Sequence, residues 1–157
     1  MLPMYRTFLL LSLVILCNGS NAQTPPSDRL NERFSPVVTF RTDKHQRLVI
    51  DIHDQGERIR QDIVDPMDLD PEAIAYSTDE GGLVLKCLPD RAQCITKEIF
   101  KLDVVRLTSR VTIPRPADDP DGSAATVLLR EWVEAAQNGN DQAANGTPSK
   151  PLRMNGR

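Results

Sequence analysis

Histidine is nearly absent from this chain, with His45 and His53 the only two in 157 residues. Aromatic residues make up 4%, and Trp132 is the single tryptophan. A zinc centre draws several ligands from Cys, His and acidic residues, and a general base at neutral pH is most often His. Metal and acid–base chemistry therefore have little to work with here. Also missing are Gly-x-Ser-x-Gly, a Walker loop, His-Glu-x-x-His and any paired Cys-x-x-Cys. No segment carries a cofactor-binding loop, so no cofactor is expected. Positive charge is not in excess: 19 Lys and Arg stand against 22 Asp and Glu, for a net charge of −3. That balance gives no footprint for nucleic acid, which needs a concentrated basic face.

What the chain does have begins at its N-terminus. Met1–Arg6 carries one positive charge and no acid. Phe8–Cys17 (FLLLSLVILC) is apolar except for Ser12, and Ser20-Asn21-Ala22 places small residues at −3 and −1 of a cleavage site. Residues 1–22 are expected to be a secretory signal peptide cleaved after Ala22. The run is too short to span a bilayer, which takes about 20 apolar residues, and no other run approaches that length. The mature chain is therefore expected to have no transmembrane segment and to be periplasmic or secreted. Large Leu16 before Cys17 argues against lipoprotein processing.

Removing the signal leaves Gln23–Arg157, the size of one domain. It also removes Cys17, so three cysteines become one pair, Cys87 and Cys94. An even count in an exported chain favours a disulfide. The Cys-x6-Cys spacing suits a hairpin whose cysteines face each other across the last rung, with Pro89-Asp90 as the turn. A redox pair or zinc site is the competing reading, but the spacing is not Cys-x-x-Cys and zinc wants more ligands.

Gln23–Ser35 is polar, with Pro25 and Pro26 adjacent, and reads as a lead-in that is loose at its start. A period of two then takes over. Val38 and Phe40, then Leu48, Ile50 and Ile52, then Ile59 and Ile63 alternate with polar residues, as half-buried strands do. The pattern pauses at Asp65–Pro71, where two prolines interrupt any ladder, and resumes at Ile74 and Tyr76. Asp79–Gly82 is a turn. Leu83, Leu85 and Cys87 form the inward side of the next strand. Phe100, Leu102 and Val104 continue an alternating run, and Val111 and Ile113 close the β region.

One helix follows, with Asp119 or Ser123 as its cap. Ala125, Leu128, Leu129, Trp132, Val133 and Ala136 share a face, which makes Trp132 a core anchor. Asn138-Gly139 is expected to end the helix. Residues 139–157 lack apolar periodicity and read as a disordered tail, with a glycosylation sequon at Asn145-Gly146-Thr147. The expected architecture is mainly β: a strongly bent antiparallel sheet or partly open barrel of about seven strands, with one C-terminal amphipathic helix. The folded domain is expected over residues 36–138.

This layout resembles the pleckstrin-homology-like fold over Ser35–Gln137. The resemblance lies in the meander Leu48–Val64, the segment DLDPEAIAY from Asp68, the hairpin LVLKCLPDRAQCI from Leu83 and the helix LLREWVEAA from Leu128. It is similar to small exported proteins of unassigned function that share a Cys-bearing hairpin before such a helix. The resemblance implies a binding module, although a fold does not fix a function. Lipid-binding members of that fold hold inositol phosphates with basic residues on the first hairpin. The matching hairpin here offers Arg41, Lys44, His45 and Arg47, with Asp43 intruding. An exported protein does not meet cytoplasmic inositol lipids, so a solvated hairpin tip is the plainer reading.

Asp51 and His53, two apart on a strand, share a face and form the one pair with catalytic or metal-binding chemistry. An exposed strand pair is the simpler explanation. The acids Asp65, Asp68, Asp70 and Glu72, and the group Asp118, Asp119 and Asp121, match no calcium-loop spacing. Three functions stay open on sequence grounds. The leading one is a small exported binding or adaptor domain that contacts a protein or cell-envelope component. The second is a hydrolase or metal-dependent enzyme using Asp51 and His53. The third is a structural or chaperone-like envelope protein using exposed sheet edges.

Overall fold

The computed structural model describes residues 24–145. The expected signal peptide, residues 1–22, and residues 146–157 of the expected tail lie outside them, while residues 139–145, also expected to be disordered, are helical. The period-two segments become eight antiparallel strands: β1 (Val38–Thr42), β2 (Leu48–Asp54), β3 (Glu57–Val64), β4 (Ala75–Ser77), β5 (Gly82–Lys86), β6 (Ile95–Ile99), β7 (Val104–Thr108) and β8 (Arg110–Pro114). They form two sheets, one of five strands in the order β1-β2-β3-β6-β7 and one of three in the order β4-β5-β8. The expected mainly β architecture with a C-terminal helix is present, but eight strands in two sheets stand in place of one bent sheet or partly open barrel of about seven strands. The segment Lys86–Ile95 is not a hairpin either, because β5 pairs with β8 while β6 pairs with β3 and β7. Pro89, which has no N–H to give a ladder, lies in the crossing between sheets. Cys87 and Cys94 still meet, with sulfurs 2.09 Å apart. Their bond joins the end of one sheet to the start of the other. On the opposite strand pair the same crossing takes one residue, Ser109, whose carbonyl accepts from the Cys87 N–H at 2.9 Å.

The core lies between the sheets. Val38, Phe40, Leu48, Ile50, Ile52, Val64 and Ile95 fill it from the five-stranded sheet, and Leu83, Leu85, Val111 and Ile113 from the other. A bulge where Ile52 meets His53 leaves Ile59 without a register partner, and Ile59 packs against the core. Ile63 pairs with Val49 and Thr96 on the outer face, so the core side of β3 is Val64, Asp62 and Arg60 instead. Leu102 and Val104, expected inside, are exposed, because Phe100–Leu102 forms a 3-10 turn that ends the alternation.

Two helices cover the remaining core. α2 (Ser123–Asn145) buries Ala125, Leu129, Trp132 and Val133. It begins at Ser123, and Asp119 caps it from a distance, accepting from the Ala125 N–H at 2.7 Å. Gly122, at φ +66°, lets the chain turn into α2 while lying against Tyr76 of β4, where an added Cβ would stand 3.0 Å from the ring. α2 runs through Asn138-Gly139. Gly139 is a weak helix former, but nothing crowds it and the helix continues.

Most of the lead-in is a helix the sequence reading did not foresee, α1 (Pro26–Phe34). Pro26 opens it, where a missing N–H costs nothing. Leu30 and Phe34, four apart, are both buried. The Phe34 and Phe40 rings meet edge to face at 5.0 Å, and Phe40 meets Trp132 in the same way at 5.3 Å. The two helices are thus bound to β1 through one aromatic row.

Candidate functional site

The residues named from sequence are not gathered into one site. At the β1–β2 tip, Asp43 accepts from the His45 and Arg47 backbone N–H groups and takes the Arg47 guanidinium at 2.7 and 2.9 Å. Desolvation opposes ionisation of Asp43, but the Arg47 amide and guanidinium and the His45 amide together outweigh it and hold the carboxyl at about 2. Arg41 turns away to Asp51, at 3.2 Å. Arg41 and Arg47 are thus each matched by an acid, and Lys44 stands exposed at the tip. The tip is a folded turn built around Asp43.

Asp51 and His53 do share the outer face of β2, but their roles diverge. Asp51 is 5% exposed. Its Oδ1 accepts from Gln61 at 2.6 Å and from Arg58 at 3.4 Å, and its Oδ2 accepts from Arg41. The carboxylate is fully engaged in bracing β1, β2 and β3. His53 Nδ1 is buried and has no hydrogen-bond partner among the described residues. Arg58, opposite His53, also lies over the Phe100 ring at 4.5 Å. No group of three or more His, Cys, Asp or Glu among the described residues is placed to hold a metal ion.

The acidic clusters are local caps. Asp65 and Asp70 each cap a 3-10 turn, Asp68 pairs with Arg91 at 3.4 Å, and Asp118 pairs with Arg33 at 3.5 Å. An open groove of about 640 Å³ lies between α1 and α2, lined in part by Arg29, Arg33 and Val127, and another of about 670 Å³ is lined in part by Phe34, Pro36 and Pro114.

The sheet edges differ in how they are protected. Asn31 of α1 covers β1: its Nδ2 donates to the Phe40 carbonyl at 2.8 Å and its Oδ1 accepts from the Phe40 N–H at 2.6 Å. Arg60 donates to the Thr112 carbonyl of β8 at 2.7 Å. β4 lies against α2. β7 has β6 on one side, and no described strand pairs with its other side. Val105 and Leu107 face outward, 65% and 58% exposed. An open strand edge carrying apolar side chains is a template for another strand.

Behind β7 the inner side of the sheet turns from apolar to charged. Arg60, Asp62, Lys97 and Arg106 occupy the inward positions of β3, β6 and β7. Asp62 is 1% exposed. Its Oδ2 accepts from Arg60 Nε at 2.9 Å, and its Oδ1 has no partner among the described residues. Burial raises the Asp62 carboxyl above the usual carboxylate range, against the pull of Arg60 and Lys97. Burial lowers the Lys97 ammonium; Asp62 resists this, while Arg60, Arg106 and Arg110 add to it.

Sequence reasoning passed over β7. The signal was there in VVRLT: Val104 on one face and Val105 and Leu107 on the other leave neither face polar, unlike a strand with one wet side. No family model, curated protein or solved structure matches the chain. Among the described residues no helix is long and apolar enough to cross a membrane.

Proposed function

We propose that this protein is a small exported binding module that takes an extended segment of a partner protein as an added strand on β7. The observation that carries the reading is the contrast among edges: Asn31 bonds both backbone groups of Phe40 on β1, Arg60 takes the Thr112 carbonyl on β8 and β4 lies against α2, while no described strand pairs with the outer side of β7, which exposes Val105 and Leu107. Strand addition supplies affinity through main-chain hydrogen bonds and specificity through alternate side chains. The Cys87–Cys94 bond, together with the export signal expected from the sequence, supports an extracytoplasmic setting. The order of strands followed by a core-filling terminal helix agrees with the pleckstrin-homology-like reading, which implies a binding module, although the Cys87–Cys94 segment joins two sheets instead of forming its hairpin.

The test is a selection of random decapeptides on the immobilised full chain. Peptides that bind the wild type and are lost with the double variant Val105→Lys, Leu107→Lys support the reading. Peptides that bind the double variant equally well, or no enrichment at all, overturn it. Both positions are exposed, so the variant is expected to keep its stability within about 0.5 kcal/mol.

A further inference from the structure

β7 has its own polarity code. Val105 and Leu107 lie on the outer face, opposite Glu98 and Thr96 of β6. Arg106 lies between them and faces inward, opposite Lys97. Of the cations on this side, Arg60 is matched by Asp62 at 2.9 Å and Arg110 by Glu80 at 3.1 Å. Lys97 and Arg106 form no ion pair among the described residues. An added strand would set one side chain directly across from Arg106, within reach of this positive pair, and its neighbours on the outer face beside Val105 and Leu107.

Resting on the docking reading above, we propose that the strand seated on β7 carries a carboxylate side chain opposite Arg106, flanked by apolar residues that cover Val105 and Leu107. Charge complementarity favours this occupant over the two nearest alternatives. A second copy pairing antiparallel about the centre of β7 would place Arg106 against Arg106, and like charges directly opposite repel. This chain's own residues 146–157 carry Lys150, Arg153 and Arg157 and no acid.

The test uses two end-blocked decapeptides, one alternating Glu with Val and one alternating Lys with Val. Each is titrated against the full chain and against Arg106→Glu. The expected result is at least tenfold tighter binding of the Glu peptide to the wild type, with the preference lost or reversed in the variant. Library-selected peptides that bind at β7 with no acidic preference, or a preference unchanged by Arg106→Glu, overturn this inference while the docking reading stands. If neither designed nor selected peptides bind, both fall. A dimer in sedimentation that Val105→Lys, Leu107→Lys breaks would make a second copy the occupant. Displacement of the Glu peptide by a synthetic 146–157 peptide would make the chain's own tail the occupant. Either outcome overturns the assignment.

Discussion

Asp62 and Lys97 face each other across the β3–β6 pair, on the side of the sheet that elsewhere carries the hydrophobic core. Neither ionises easily there, because burial acts against the charge on both. Arg60 anchors one Asp62 oxygen and also reaches the Thr112 carbonyl, so this charged row links the two sheets where apolar packing stops.

The raised carboxyl of Asp62 has a definite consequence for stability. Below the unfolded value, about 3.9, both states hold the proton. Above it the unfolded chain releases its proton first, so the folded state binds more, and stability falls as pH rises toward the raised folded value. Asp62→Asn removes that slope. Urea midpoints between about pH 3 and about pH 7 should show the variant gaining on the wild type as pH rises. A constant or shrinking difference would contradict this assignment.

Asp43 works in the opposite direction. Its carboxyl sits at about 2, so its contribution is present above the unfolded value and is lost as pH falls through about 2. Arg47→Ala should return its midpoint toward the usual range of about 3.9, read by carboxyl NMR titration. An unmoved midpoint would show that the backbone amides alone hold the charge.

Asn31 closes the β1 edge with two hydrogen bonds to Phe40. Asn31→Ala leaves a backbone N–H and C=O without that partner and should cost about 1–3 kcal/mol in denaturant unfolding. It should also make β1 a second open edge, with a greater tendency to associate at high concentration. A cost under about 0.5 kcal/mol would mean that water replaces the side chain.

The Cys87–Cys94 bond closes a short loop, with a sequence separation of 7. The chain-entropy cost of losing it is about 2.5 kcal/mol. Replacing both cysteines with Ser should lower stability by that order in denaturant unfolding. Since the bond ties the two sheets at their crossing, the added mobility should appear in amide exchange at both Lys86 and Ile95. Faster exchange on only one side would place the effect in the loop alone.

Legibility in the sequence varied with how local the signal was. Trp132 was readable as a core anchor because helical spacing alone places it beside Leu129 and Val133; its partner Phe40 on β1 was not. The strands were readable from alternation, and the cysteine pair from its count. What was not readable was partnership between distant strands: nothing near Leu85 says that β5 prefers β8 to β6. α1 was missed because Leu30 and Phe34 are its only two buried residues and its prolines resemble loop chemistry. The i, i+4 spacing of those two residues, with Pro26 in the first turn, was the available clue. Helix continuation past Gly139 was equally hidden, since a lone glycine weakens a helix without ending it. Asp51 and His53 drew notice by type, but the structure uses Asp51 to brace three strands.

The most direct measurement is amide hydrogen exchange across the whole chain, with and without a selected decapeptide bound. The docking account expects protection at alternate amides within Val104–Thr108, where an added strand accepts from the open edge, and little change along β1. Protection confined to the α1–α2 groove, to the β1–β2 tip or to the Asp51–His53 face, with β7 unaltered, would contradict it.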